Sequence, residues 1–141
     1  MERNLTSPSS PQRLEYQKWR STLTSPFSRN VNREISGTKK VYFCDYGIAN
    51  HCARVDKERL FKSCVFNNLI KFGKVNYYQK RSGEEINFIL NERIGVEVKM
   101  RGLESNLRKL NKICKEIGLN ESYLISNEYI EKENFIPAAN I

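Results

Sequence analysis

Apolar residues recur at helical spacing in three stretches of this chain and fall into short β-rich runs in six others. Leu60, Phe61, Cys64, Val65, Asn68, Leu69 and Phe72 share one broad face of a helix predicted over 57–72, with Asp56 as its cap and Gly73 as its terminator. A second amphipathic helix is predicted over about 104–117. It has Leu107, Leu110, Ile113, Cys114 and Ile117 inward, Arg108, Lys109, Lys112 and Lys115 mostly outward, and Gly118 as its stop. Between them, 75–80 (VNYYQK) and 85–90 (EINFIL) read as strands joined by the turn Arg81-Ser82-Gly83. Asn91-Glu92 turns the chain again into 94–99 (IGVEVK), whose apolar residues sit at 94, 96 and 98. Residues 122–126 form a further strand, and Phe135 and Ile136 suggest a weaker one. The order from Asp56 onward is helix, three strands, helix, strand, which predicts an α/β domain with a mixed sheet flanked by helices.

The pattern before Asp56 is less regular. Residues 1–11 are rich in Ser and Pro, a composition that buries too little surface to offset ordering. A short helix is predicted from Pro11, with Tyr16, Trp19 and Leu23 at i, i+3 and i+7, ending at Pro26. Residues 1–25 are therefore expected to be a disordered or partly helical lead-in, and 26–141 a domain with its core over 56–126. Val41-Tyr42-Phe43-Cys44 reads as a short buried strand running into Asp45.

Composition adds a partner class. The chain has 141 residues, suited to one core, and 24 Lys+Arg against 16 Asp+Glu give a net charge of +8. Such a surplus favours polyanions, so nucleic acid, DNA first, is the expected partner; the plain alternative is charge that serves only solubility. No apolar run reaches the roughly 18 residues that span a bilayer, so no membrane partner and a cytoplasmic location are expected. The four cysteines lack CxxC spacing and read as structural thiols. Cys44, His51 and Cys52 would supply three zinc ligands without a fourth nearby.

The candidate chemistry lies on two adjacent strands. By alternation Glu85 and Asn87 share one face of 85–90, and Glu97 and Lys99 share one face of 94–99, so a carboxylate, a lysine and an amide meet at one edge of the sheet. Taken alone, Glu97 and Lys99 read equally well as a solvated cross-strand charge pair. The αβββαβ order, with Glu97-Val98-Lys99 on its third strand, resembles the PD-(D/E)XK nuclease superfamily. PFSRN (26–30), KKVYFCDYGIAN (39–50), RLFKSCVFNNLIKFG (59–73), NYYQKRSGEEINFIL (76–90) and GVEVK (95–99) together resemble the restriction-endonuclease-like C-terminal domain of prokaryotic, archaeal-type AAA ATPases.

That resemblance implies a divalent-metal site at Glu97, Asn87 and Glu85, with Mg or Mn as cofactor. Glu97, Asn87 and Lys99 would be the catalytic set, the lysine orienting the nucleophile and neutralising the scissile phosphate. Two positions depart from the family pattern. The metal-binding Asp of the second strand is Asn87, and a Glu near the LFEN-like stretch of the first helix is Lys62. Losing a carboxylate should weaken the ion by at least roughly 10–100-fold, so impaired or absent cleavage is expected unless Glu85, Glu84 or Glu58 compensates. An active metal-dependent DNA endonuclease and an interaction domain for an ATPase partner are the alternatives. Arg108, Lys109, Lys112 and Lys115, together with Lys80, Arg81 and Arg101, are expected to track a phosphate backbone, and a solvated helix face is their competing role. Tyr77 and Tyr78 suit either core packing or base stacking. The chain has no G-x-x-x-x-G-K-[ST] loop, so no ATPase motif accompanies the domain.

Overall fold

A computed structural model of the chain describes residues 21–29, 37–45, 47 and 55–141. Its described elements are β1 (Ser21–Thr24), β2 (Lys40–Phe43), α1 (Lys57–Leu69), β3 (Val75–Gln79), β4 (Glu85–Leu90), β5 (Ile94–Lys99), α2 (Glu104–Ile117), β6 (Glu121–Ser126), β7 (Phe135–Pro137) and a terminal 3₁₀ turn (Ala138–Asn140). Five strands form one mixed sheet in the order β3-β4-β5-β6-β7, and β1 and β2 form a separate antiparallel pair. β3, β4 and β5 are an antiparallel meander; β6 then returns parallel to β5 after the α2 crossover, and β7 adds parallel to β6.

The local chemistry accounts for these elements. Asp56 accepts a hydrogen bond from the Arg59 amide at 2.9 Å, the side-chain cap that starts α1. The link between β4 and β5 turns tightly because Asn91 and Glu92 both hold positive φ, 51° and 59°, with the Arg93 amide closing on Leu90 O at 3.1 Å. Gly118, at φ 75°, closes α2 in the left-handed conformation.

Each face of the sheet carries its own core. On one side Val65, Phe66 and Leu69 of α1 pack on Val75, Phe88, Val96 and Val98, with Tyr42 of β2 stacked on Phe66. On the other, Leu110, Ile113 and Cys114 of α2 cover Ile86 and Ile89. The close approach of α2 is possible because position 95 is glycine: a Cβ there would run into Cys114 Sγ. The thiol, buried in this layer, is pushed up to about 11, first by burial and then by the Glu97 carboxylate, so it packs as a small hydrophobe.

Several expectations change. Ser21–Thr24 is a strand paired with Lys40–Phe43, so residues 21–25 belong to the folded unit and not to a lead-in. Leu23 is exposed on that strand; the part of the predicted helix over 11–20 lies outside the described residues. α1 ends at Leu69, three residues early, and Cys64 and Phe72 are exposed while Phe66 and Ser63 take the inward positions. Ser63 and Asn67 are called inward by β2, where Ser63 Oγ accepts from the Phe43 amide at 3.4 Å and Asn67 Nδ2 donates to Phe43 O at 2.8 Å. No described helix is long and apolar enough to cross a membrane.

Candidate functional site

The β4–β5 ladder pairs Leu90 with Ile94, Ile89 with Gly95 and Phe88 with Val96, and its regular register stops there. On the other border of β4, Asn87 and Phe88 together stand opposite the single residue Tyr77, because the register passes from Asn76↔Ile89 to Tyr78↔Ile86. β4 therefore carries a bulge at Asn87–Phe88, a device that re-aims a side chain and ends regular pairing. Ile86 and Ile89 consequently both face α2, a spacing that strict alternation forbids. The expectation that Glu85 and Asn87 share a face by simple alternation is corrected in this respect.

Asn87 bridges the opened strands. Its Oδ1 accepts from the Val98 amide at 2.8 Å, taking the place of a backbone acceptor, and its own amide donates to Glu97 Oε2 at 3.4 Å. The ammonium of Lys99 lies 3.2 Å from the other oxygen, Oε1, of Glu97. The three residues anticipated at positions 87, 97 and 99 thus come together. The Asn87 residue is 3% exposed and the Glu97 side chain 12%, whereas Lys99 is 35% exposed and opens to solvent.

Burial holds the Glu97 carboxyl above its ordinary range, against the lowering effects of Lys99, the Asn87 amide and Lys62. A carboxylate whose folded pKa is raised is a liability above that pKa. Its cost is relieved as pH falls through the folded pKa toward the unfolded value, because the folded state takes the proton first. Glu97→Gln, which keeps an acceptor for the Asn87 amide, is therefore expected to raise the thermal midpoint at neutral pH by about 2–4 °C. The gap should close as pH approaches about 4.5. Melting curves across this range check it, and a variant less stable than the parent at pH 7 would make the Glu97–Lys99 pair a net stabiliser.

A cleft of about 110 Å³ opens over Glu97 and Lys99, with Gly83 and Glu85 and, from α2, Asn106 and Lys109 also lining it. It lies at the carboxyl end of β5, where the crossover into α2 begins, the position that open α/β sheets use for ligands. Glu85 reaches the cleft but its carboxylate pairs with Lys40 at 2.9 Å. Glu58 pairs with Lys62 at 2.8 Å on α1; Glu58 is held low chiefly by that lysine and, more weakly, by Lys99. Glu84 pairs with Lys80.

The donor set does not fit a divalent cation well. Mg²⁺ requires hard anionic oxygens, yet the Asn87 oxygen is spent on a buried backbone N–H and Glu97 already faces an ammonium. Among the described residues no three His, Cys, Asp or Glu side chains gather as a metal-binding group. His51 and Cys52 of the zinc reading lie outside the described residues.

The anticipated basic residues divide. Lys80 pairs with Glu84 on the β3–β4 turn and holds it low, with weaker help from the charges of Lys109 and Lys112, and Lys109 also lines the cleft. Arg81 is exposed on that turn. The charge of Arg108 helps hold Glu104 low, chiefly the work of its partner Lys132, and Arg101 lies 3.6 Å from Glu128. Tyr77 is a core residue: it is buried, donates to Thr38 O, and has Lys40 over its ring at 4.5 Å. Tyr78 is half-buried against the α2 core and lines a larger groove, about 1010 Å³, that also meets Lys80, Arg81 and Lys115. Lys40 and Asn106 escaped sequence reasoning, because nothing local ties a residue of β2 or of the first α2 turn to the β4–β5 opening. Comparison with protein-family models, with curated proteins and with solved structures finds no match to this chain.

Proposed function

We propose that this chain is a nucleic-acid-binding module with a restriction-endonuclease-like core, of the kind found at the C-terminus of AAA-type ATPases, whose catalytic centre has been neutralised. The observation that carries the reading is the Asn87 bridge. At the point where two strands part and a Glu-x-Lys pair faces the opening, the position that would supply a second carboxylate supplies a buried neutral amide instead. The helix, meander, helix, parallel-strand order supports the fold half of the proposal. Lys109 on the cleft, Lys80 and Arg81 on the larger groove, and Lys112, whose charge acts on Glu84, support the binding half.

An active metal-dependent endonuclease is the second reading, favoured by Glu85 lining the same cleft as Glu97. Its carboxylate must first leave Lys40. Nicking of supercoiled plasmid in Mn²⁺, abolished by Glu97→Ala, would establish this reading over the first.

Binding through phosphates fixes what titration should give. A labelled duplex is expected to bind with Kd of order 10⁻⁴–10⁻⁶ M at physiological salt, its affinity falling steeply as salt rises and persisting in EDTA, without any divalent cation. Lys109→Glu/Lys112→Glu should weaken binding by more than about tenfold, since two phosphate contacts become repulsions. Affinity that is flat in salt, or indifferent to this double reversal, sinks the binding face.

A further inference from the structure

Lys80 follows directly on β3, at the start of the β3–β4 turn, and its ammonium is held from two sides. Glu84 Oε2 lies 3.0 Å away across the hairpin turn, and Glu116, near the end of α2, makes a closer pair still. The turn is shaped to bring Glu84 round. The Lys80 amide donates to Glu84 O at 2.8 Å, the Gly83 amide donates to Lys80 O at 3.0 Å, and Gly83 takes φ 90°, which side-chain-bearing residues rarely adopt. Lys80 is pushed well above the ordinary lysine range by Glu116 first and Glu84 second, while Glu84 is held low by Lys80 and, more weakly, by Lys109 and Lys112.

The fold has little need of this arrangement. Exposed ion pairs contribute little to stability, and α2 is seated on the sheet by Leu110, Ile113 and Cys114 against Ile86 and Ile89. In a face that meets phosphates, however, two carboxylates on one lysine have a definite effect. They hold the cation that a phosphate oxygen would take, and they repel the strand that brings it.

We infer that Glu84 and Glu116 are an internal competitor for the nucleic-acid backbone, occupying Lys80 in the free protein and keeping its affinity low until a phosphate displaces them. This rests on the nucleic-acid reading above and names how that face is regulated. Lys80 then contributes less than a full phosphate contact in the unsubstituted protein, and removing the two acids frees it.

The experiment is fluorescence anisotropy of a short labelled duplex across a salt series. Glu84→Gln/Glu116→Gln is compared with Glu131→Gln/Glu133→Gln, which removes the same charge from the exposed β6–β7 loop. The first pair is expected to bind about tenfold tighter and to steepen the slope of log K against log salt by about one, the signature of one more phosphate contact. The second pair should change affinity less than about threefold, through long-range field alone. Adding Lys80→Ala to the first pair should remove both its gain and the added slope. Equal gains from the two pairs, or a gain that survives Lys80→Ala, overturns the competitor while leaving the binding face standing. No binding by the parent or by Glu84→Gln/Glu116→Gln at low salt removes both. Matching melting curves keep misfolding out of the comparison, since glutamine preserves size and hydrogen-bonding capacity.

Discussion

Phe88→Ala is expected to cost about 3–5 kcal/mol, lowering the urea midpoint sharply at unchanged m-value. Phe88 is fully buried, and its ring lies 5.2 Å from Tyr42 and 5.7 Å from Phe66 between centroids, while Tyr42 and Phe66 stack at 4.4 Å. Removing it takes the shared neighbour from a three-ring cluster joining β2, α1 and β4. The cavity cannot close easily, because Val96 and Val98 are held by the sheet and Phe66 by the helix. Against a total stability of about 5–15 kcal/mol, such a loss leaves little margin. Phe72→Ala is the internal control: Phe72 is 68% exposed just past α1, and its truncation should stay within about 0.5 kcal/mol. Equal losses at the two positions would show that the core is not the one described.

The second large effect is expected at the site. Asn87→Asp keeps an oxygen for the Val98 amide, so the strand bridge survives, but it sets a second carboxylate beside Glu97 in a place with almost no solvent. Two such groups cannot both ionise cheaply, and one must keep its proton. In EDTA at neutral pH the substitution should therefore cost roughly 1.5–3 kcal/mol, equivalent to one or two pK units of conflict. Mn²⁺ should reverse the loss in the variant alone, because a cation bound only by the folded state at 100 times its Kd returns about 2.7 kcal/mol. Melting curves with and without Mn²⁺, joined to calorimetric titration of the ion, test both halves. A variant that gains no affinity for Mn²⁺ would break the link between residue 87 and a former metal site. A parent protein that is itself stabilised by Mn²⁺ would favour the active endonuclease.

Much of the frame was legible because it depends on periodicity and stop signals. The bounds of β4, β5 and α2 fall where alternation, the 3.6-residue repeat and Gly118 put them. The convergence of 87, 97 and 99 was legible too, as neighbouring positions on adjacent strands. Their geometry was not. A bulge leaves no composition signal in EINFIL, so nothing in that string announces that Asn87 would turn toward β5 and replace a backbone acceptor. The inward face of α1 was misread at Cys64 and Phe72 because periodicity gives a face but not its partner. β2 supplies that partner through Phe43, which binds Ser63 and Asn67. β1 was misread for a similar reason: Leu23 fits a helical spacing, yet pairing with Val41 decides its conformation. Opposite charges far apart in sequence, such as Lys40 with Glu85, have no sequence signature at all.

The segment that follows β1 lies alongside β3. The Tyr77 amide donates to Ser25 O at 3.2 Å, Tyr77 O accepts from the Phe27 amide, and Thr24 Oγ1 donates to Val75 O at 2.6 Å. The outermost strand thus has its middle hydrogen-bonding groups already taken, and Pro137 at the end of β7 lacks the N–H that a new strand would need on the opposite border. Zipper-like stacking of one molecule onto the next is discouraged on both flanks. What the protein binds, it is then expected to hold with side chains of the β3–β4 turn and α2, not by lending the backbone of an edge strand.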